Sequence, residues 1–112
     1  MEITTERVDD VVVVKAKGRF YSNDAQAVEA GLAEAIGTGN PCFAVDLTEM
    51  DYISSAGLRV FLKMAKQVQK ANGKVVVLFG LRPNVREVFS ITAFDRIFSI
   101  HADRAAAIAA MR

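Results

Sequence analysis

Two adjacent hydroxyls open the stretch of this chain with the clearest chemical potential, Ser54-Ser55-Ala56-Gly57-Leu58-Arg59. They follow an apolar run that reads as the end of a strand and stand where an amphipathic helix begins. A helix start leaves its first backbone N–H groups without partners inside the helix and carries the positive end of the helix dipole. A negative charge is well tolerated there, so a serine in that place suits a group that carries a phosphate part of the time. The same residues also read as an ordinary helix start: a serine N-cap, a small alanine for packing, and a glycine that lets the helix approach the sheet.

Other chemistries find little support. His101 is the single histidine and reads as a surface or loop residue near the last helix; with Cys42, the single cysteine, it cannot make a typical zinc site. Cys42 has no partner for a disulfide within the chain and reads as a small buried hydrophobe. A serine hydrolase elbow wants glycine where Ile53 stands. Gly37-Thr38-Gly39 is half of a dinucleotide fingerprint, but it follows a helix rather than a strand and lacks the third glycine. Asp46 could pass as the acceptor of a receiver domain, yet a hairpin replaces the acidic pair that such a domain carries after its first strand.

The elements that must position the serines follow from periodicity. Ile3–Val8 and Val11–Lys17 read as strands of a hairpin turned at Asp9-Asp10 and closed by Gly18. Ser22-Asn23-Asp24 supplies a cap for a first helix whose inner face is Val28, Leu32, Ala35 and Ile36, stopped by Gly37-Thr38-Gly39-Asn40-Pro41. Phe43–Leu47 reads as a buried strand, Thr48–Tyr52 as a polar loop, and Ser55–Asn72 as the second helix, ended by Asn72-Gly73. Lys74–Phe79 is a further strand. Pro83 suits the first turn of a third helix with Val85, Val88, Phe89 and Thr92 inside. Ile97–Ile100 is a last strand, and Asp103–Arg112 an alanine-rich helix with Ile108 and Met111 on one side. The order β-β-α-β-α-β-α-β-α predicts an α/β fold: a central mixed sheet, mainly parallel, with helices packed on it.

On the second helix Leu58, Phe61, Leu62, Ala65 and Val68 recur at core spacing, with Val60 and Met64 flanking them. Arg59, Lys63, Lys66 and Lys70 form a basic stripe. It reads either as a solvated face or as the rim of a docking surface for an acidic partner, with Val60 and Met64 at its apolar centre.

The 112 residues fit one domain, 1–112, with a hydrophobic fraction of 52% and a charged fraction of 24%, both ordinary for a globular chain. Fourteen basic residues against thirteen acidic ones give a formal charge of +1, which argues against general affinity for nucleic acid or anionic membrane. Met1-Glu2-Ile3-Thr4-Thr5-Glu6 has no signal-peptide features, and no apolar run is long enough to span a bilayer, so a cytoplasmic domain without membrane insertion is expected.

The segment from Asp46 to Leu62, Asp-Leu-Thr-Glu-Met-Asp-Tyr-Ile-Ser-Ser-Ala-Gly-Leu-Arg-Val-Phe-Leu, resembles the signature of the STAS domain family, whose stand-alone members include bacterial anti-sigma factor antagonists. Gly18-Arg19-Phe20, the run Leu81–Phe89 and the run Thr92–Phe98 are similar to three further family segments. The resemblance implies a STAS-like fold, no enzymatic activity and no cofactor. It places the phosphorylated serine at Ser55. It implies partner switching: an anti-sigma factor serine kinase binds the unphosphorylated protein and frees its sigma factor, then inactivates the protein by phosphorylation, and a phosphatase reverses this. The docking face implied is the second helix and the loop before it, with Tyr21, Asp51, Ile53, Ser54, Ala56, Gly57, Arg59, Val60, Lys63 and Met64. Two departures stand out. Ser54 occupies a place where the family commonly has aspartate, which makes it a second candidate acceptor, and Tyr21 occupies another. Asp51 and Asp24 lie close in sequence as other sources of charge. The family also admits a partner-switching regulator of a target other than a sigma factor, and a structural subunit of a lipid-transport ATPase.

Overall fold

The computed structural model describes residues 1–8, 11–37, 43–72 and 76–111. Strand β1 (Glu2–Val8) pairs antiparallel with β2 (Val11–Phe20), Glu2 opposite Lys17 and Val8 opposite Val11. The valine run at the start of β2 supplies β-branched side chains to both sides of the sheet. Val12, Val14, Ala16 and Phe20 enter one apolar cluster, while Val11 and Val13 enter a second on the opposite face. Gly18 does not end this strand: it takes a positive φ of 109° within it, and pairing continues to Phe20.

After β2, Ser22–Asp24 forms a 3-10 turn rather than a simple cap; Asp24 Oδ2 accepts from the Tyr21 N–H at 3.0 Å. Helix α1 (Ala25–Gly37) follows, burying Val28 and Leu32. Strand β3 (Phe43–Asp46) is parallel to β2. The buried Asp46 carboxylate then turns the chain by accepting from the Thr48 N–H at 2.9 Å and the Thr48 hydroxyl at 2.6 Å. The polar loop expected next is instead interrupted by a short strand, β4 (Met50–Ile53), parallel to the end of β2. Its register pairs Gly18 with Met50 but Arg19 with Tyr52, so Asp51 is an extra residue. The bulge breaks alternation: Met50 and Ile53 point inward, whereas Asp51 and Tyr52 both face solvent.

Helix α2 (Ser55–Asn72) packs on the first apolar cluster. Its apolar side chains span a wide arc, and the part of that arc that is buried is rotated from the expected one. Val60 (7% exposed) and Met64 (2%) are core residues, and Leu62 is the one left half-buried at the rim. Strand β5 (Val77–Phe79) is parallel to β3, and β6 (Ser99–His101) to β5, giving a sheet ordered β1-β2-β3-β5-β6 with β4 beside β2. The architecture is α/β with a mixed, mostly parallel sheet.

Pro83 begins helix α3 (Pro83–Ile91). Val85 and Phe89 are buried and Val88 half-buried, but Thr92 lies outside the inner stripe: it caps the helix, its hydroxyl donating to the Val88 carbonyl at 2.8 Å. Phe61 is the hub of the core, with ring centroids 6.0, 6.2 and 6.4 Å from those of Phe20, Phe89 and Phe98. The opposite face carries helix α4 (Arg104–Ala110), capped by Asp103, whose carboxylate accepts from the Ala106 N–H at 2.9 Å. Ala107 is its buried residue and Ile108 is half-buried. His101 is a half-buried strand residue rather than a loop one, its Nε2 at 2.8 Å from Ser99 Oγ. The expectations for Asp9-Asp10, Thr38–Pro41, Cys42, Gly73 and the first residues of the fifth strand fall outside the described residues.

Candidate functional site

The two serines at the start of α2 are equivalent in type but not in structure. The Ser54 N–H donates to the Phe20 carbonyl at 2.9 Å, fixing the residue to the end of β2. Its side-chain oxygen accepts from the Gly57 N–H at 3.1 Å, and its carbonyl accepts from the Leu58 N–H at 3.0 Å. Those contacts define an N-cap, and they commit the half-buried Ser54 hydroxyl to the helix. Ser55 is the first helical residue and is exposed.

Gly57 is what lets this start sit so close to the sheet. A Cβ there would lie 2.9 Å from both Ile53 Cγ1 and Phe20 Cγ, closer than packed carbons tolerate. Ile53 and Gly57 are buried and Ala56 is half-buried, so of this group only Ser55 and Arg59 are well exposed. Val60 and Met64 cannot form the apolar centre of a docking surface in this arrangement, because the roll of α2 turns them into the core.

A second group gathers beside the helix start. Arg19, Tyr21, Asp51 and Tyr52 line a groove of about 330 Å³. Tyr21 and Tyr52 are 46% and 44% exposed, with ring centroids 5.5 Å apart and planes tilted by 42°. The Arg19 guanidinium donates to the Tyr21 hydroxyl at 3.2 Å, and that bond pushes the Arg19 pKa up. Neither nearby aspartate offers a bare charge. The Asp51 carboxylate is ion-paired with Arg82, while Asp24 accepts from the Tyr21 backbone. Arg82 Nε also donates to the Thr48 carbonyl at 3.0 Å, and Asn84 Nδ2 to the Asp51 carbonyl at 2.6 Å. The start of α3 is thereby stitched to β4 and the loop before it. Gly80 completes the seam: its φ of +73° brings the chain so near Thr48 that a Cβ would meet Thr48 Cγ2 at 2.2 Å.

The basic stripe of α2 is exposed along its length, Arg59, Lys63, Lys66 and Lys70. Lys63 forms an ion pair of 2.8 Å with Glu29 of α1, so part of its charge is already matched. Sequence reasoning missed Tyr52, Arg19 and Arg82 as neighbours of the site. Among the described residues no group of three His, Cys, Asp or Glu side chains could hold a metal ion, and no helix is long and apolar enough to cross a membrane.

Comparison with known proteins agrees with this fold. The profile of the STAS domain matches residues 2–107. The chain is 41% identical over 112 residues to a Bordetella bronchiseptica protein named "Putative anti-sigma factor antagonist BtrV", covering 100% of this chain and 96% of that one. In structure it is similar to an anti-sigma factor antagonist from Mycobacterium paratuberculosis, with a TM-score of 0.88 and 22% identity, over 97% of this chain and 92% of that one. It is also similar to the Bacillus cell fate determinant SpoIIAA in its phosphorylated form, with a TM-score of 0.73 and 19% identity, over 99% of this chain and 100% of that one.

Proposed function

The chain belongs to the STAS domain family, and from that premise we propose that it is an anti-sigma factor antagonist, a regulatory binding protein rather than an enzyme, switched at Ser55. In this reading an anti-sigma factor serine kinase binds the unphosphorylated protein and releases its sigma factor. The same kinase then phosphorylates Ser55, which breaks the complex, and a phosphatase restores it. The observation that carries the reading is the division of labour between the serines: Ser54 is spent on capping α2, and Ser55 is exposed on its first turn.

The division also accounts for the serine that stands where the family commonly has aspartate. Serine and aspartate cap helices about equally well, so the replacement keeps the helix start and removes a fixed charge beside the acceptor. A phosphate on Ser55 adds about −1.5 to −2 of charge at neutral pH. At a helix N-terminus that charge costs the fold little. Inside a closed interface it meets desolvation and like-charge repulsion. Binding therefore changes while the fold stays.

The test uses the full chain as bait with Ser55→Ala and Ser55→Asp, with captured proteins read by mass spectrometry and the phosphosite mapped on the unsubstituted chain. The alanine bait is expected to hold a serine kinase at least about tenfold more strongly than the aspartate bait, about 1.4 kcal/mol. Phosphate is expected on Ser55 rather than Ser54. Equal capture by both baits, or phosphate on Ser54 alone, would overturn the switch.

A further inference from the structure

Building on that reading, we infer that the groove formed by Arg19, Tyr21, Asp51 and Tyr52 is the specificity pocket of the docking face, and that it receives an acidic side chain flanked by apolar surface on the partner protein. The groove is prepared for contact. Its two tyrosines are among the few large apolar side chains left exposed in the described residues, and they lean on each other. The Tyr21 ring is held by Arg19 on its hydroxyl and by the Tyr52 ring against it, and the backbone beneath the two rings is fixed by the Asp24 carboxylate on the Tyr21 N–H and by the pairing of Tyr52 with Arg19. Aromatic rings already fixed in place lose little freedom on binding, which is why tyrosine and arginine recur where interfaces hold most tightly.

Charge decides what enters. The carboxylate of Asp51 is neutralised by Arg82, whereas the hydrogen bond of Arg19 goes to a neutral phenol. With Arg82 counted, two guanidiniums stand against the Asp51 carboxylate, while Asp24 beneath Tyr21 is matched by the Met1 amino group at 3.7 Å, and the groove has an excess of one positive charge. A partner carboxylate completes that balance and a partner cation is repelled. Tyr21 stands where the resembled pattern commonly carries aspartate, so the preference here is the reverse of what an acidic side chain at that position would impose. The same sign links groove and switch. Ser55 is three residues from Tyr52 in the chain, and Ser54 is bonded to the end of β2 beside Arg19. A phosphate on Ser55 would therefore bring negative charge toward the carboxylate that the groove receives.

The experiment titrates the full-length, isotope-labelled chain with 4-methylpentanoate, and separately with 3-methylbutylamine, a similar apolar body bearing a cation, while backbone amide resonances are followed. The carboxylate is expected to shift Arg19, Tyr21, Asp51 and Tyr52 saturably in the millimolar range, and the amine is not. Arg19→Gln should weaken the carboxylate at least about tenfold, and Arg19→Lys should retain most of its binding. Because Arg19 is exposed, both variants are expected to fold, as the unperturbed resonances of the core would show. Equal response to the amine, shifts scattered over the surface, absence of a saturable response or indifference to Arg19→Gln would overturn the groove assignment. The switch reading fails separately, by equal capture with Ser55→Ala and Ser55→Asp.

Discussion

One face of the sheet is deep and the other is shallow. On the deep face α1, α2 and α3 close over Val12, Val14, Ala16, Phe20, Val45 and Leu78, with Phe61 at the centre of a set of edge-to-face rings. On the shallow face the short α4 lays Ala107 over Val11, Val13, Ala44, Val77 and Phe79. The serines sit at the end of the helix that belongs to the deep face. The difference teaches where a switch of charge can be placed without remodelling the protein. α2 is anchored by large buried side chains along its length, so its first turn can carry a new charge while the rest of the helix stays seated.

The comparison can be broken most directly by cutting each face at its centre. Phe61→Ala should cost about 3–5 kcal/mol of unfolding free energy, the usual range for removing a buried phenylalanine. Ala107→Gly should cost about 2 kcal/mol, the helix propensity difference plus the loss of one buried carbon. Denaturant unfolding of both variants checks this, and equal losses would mean that the faces contribute alike. A finer test stays at the helix start. Ser54→Ala should cost about 1 kcal/mol through the lost cap, whereas Ser55→Ala should leave thermal stability nearly unchanged.

The smallest effect is expected on the rim of the shallow face, where Lys15 and Glu49 form an exposed ion pair. The hydrogen bond between them, aided by their charges, lowers the Glu49 pKa and raises that of Lys15. The Glu49 contribution is therefore present above the ordinary carboxylate pKa and lost as pH falls through its lowered folded value. The Lys15 contribution is present below the ordinary lysine pKa and lost as pH rises through its raised folded value. Melting curves across pH should show Glu49→Gln slightly less stable than the parent near neutrality, with the gap closing in acid. A gap that persists once Glu49 is protonated would mean that the substitution acts through something other than charge.

Much of this was legible in the residues. The bounds of α2 at Ser55 and Asn72 match the structure, because a serine pair, a long amphipathic period and an Asn-Gly stop are strong local signals. Strand β4 was hidden because Met50, Asp51, Tyr52 and Ile53 run inside, outside, outside, inside, and a bulge defeats any search for alternation. The inward placement of Val60 and Met64 was hidden for a different reason. An apolar arc that wide does not state which of its edges is buried, and only the seat offered by the sheet and neighbouring helices decides. The serines could not be told apart by type, since either is a good cap; the bond from Gly57 to Ser54 separates them. Arg82 and Asn84 reach the site from 31 and 33 residues away, a distance over which local pattern carries no information.

The extra residue in β4 has a consequence for how such a surface changes over time. With Asp51 present, two consecutive side chains face outward, and Tyr52 meets Tyr21 across the strands. Deleting Asp51 would restore simple alternation, Met50 inward, Tyr52 outward and Ile53 inward, and would take a carboxylate out of the groove beside Tyr21, while the buried helix beyond stayed in place. Chain length in this short segment is thus a control on partner choice separate from residue identity. A lineage can alter the docking face by gaining or losing that one outward residue, while Met50 and Ile53 on either side keep their places in the core.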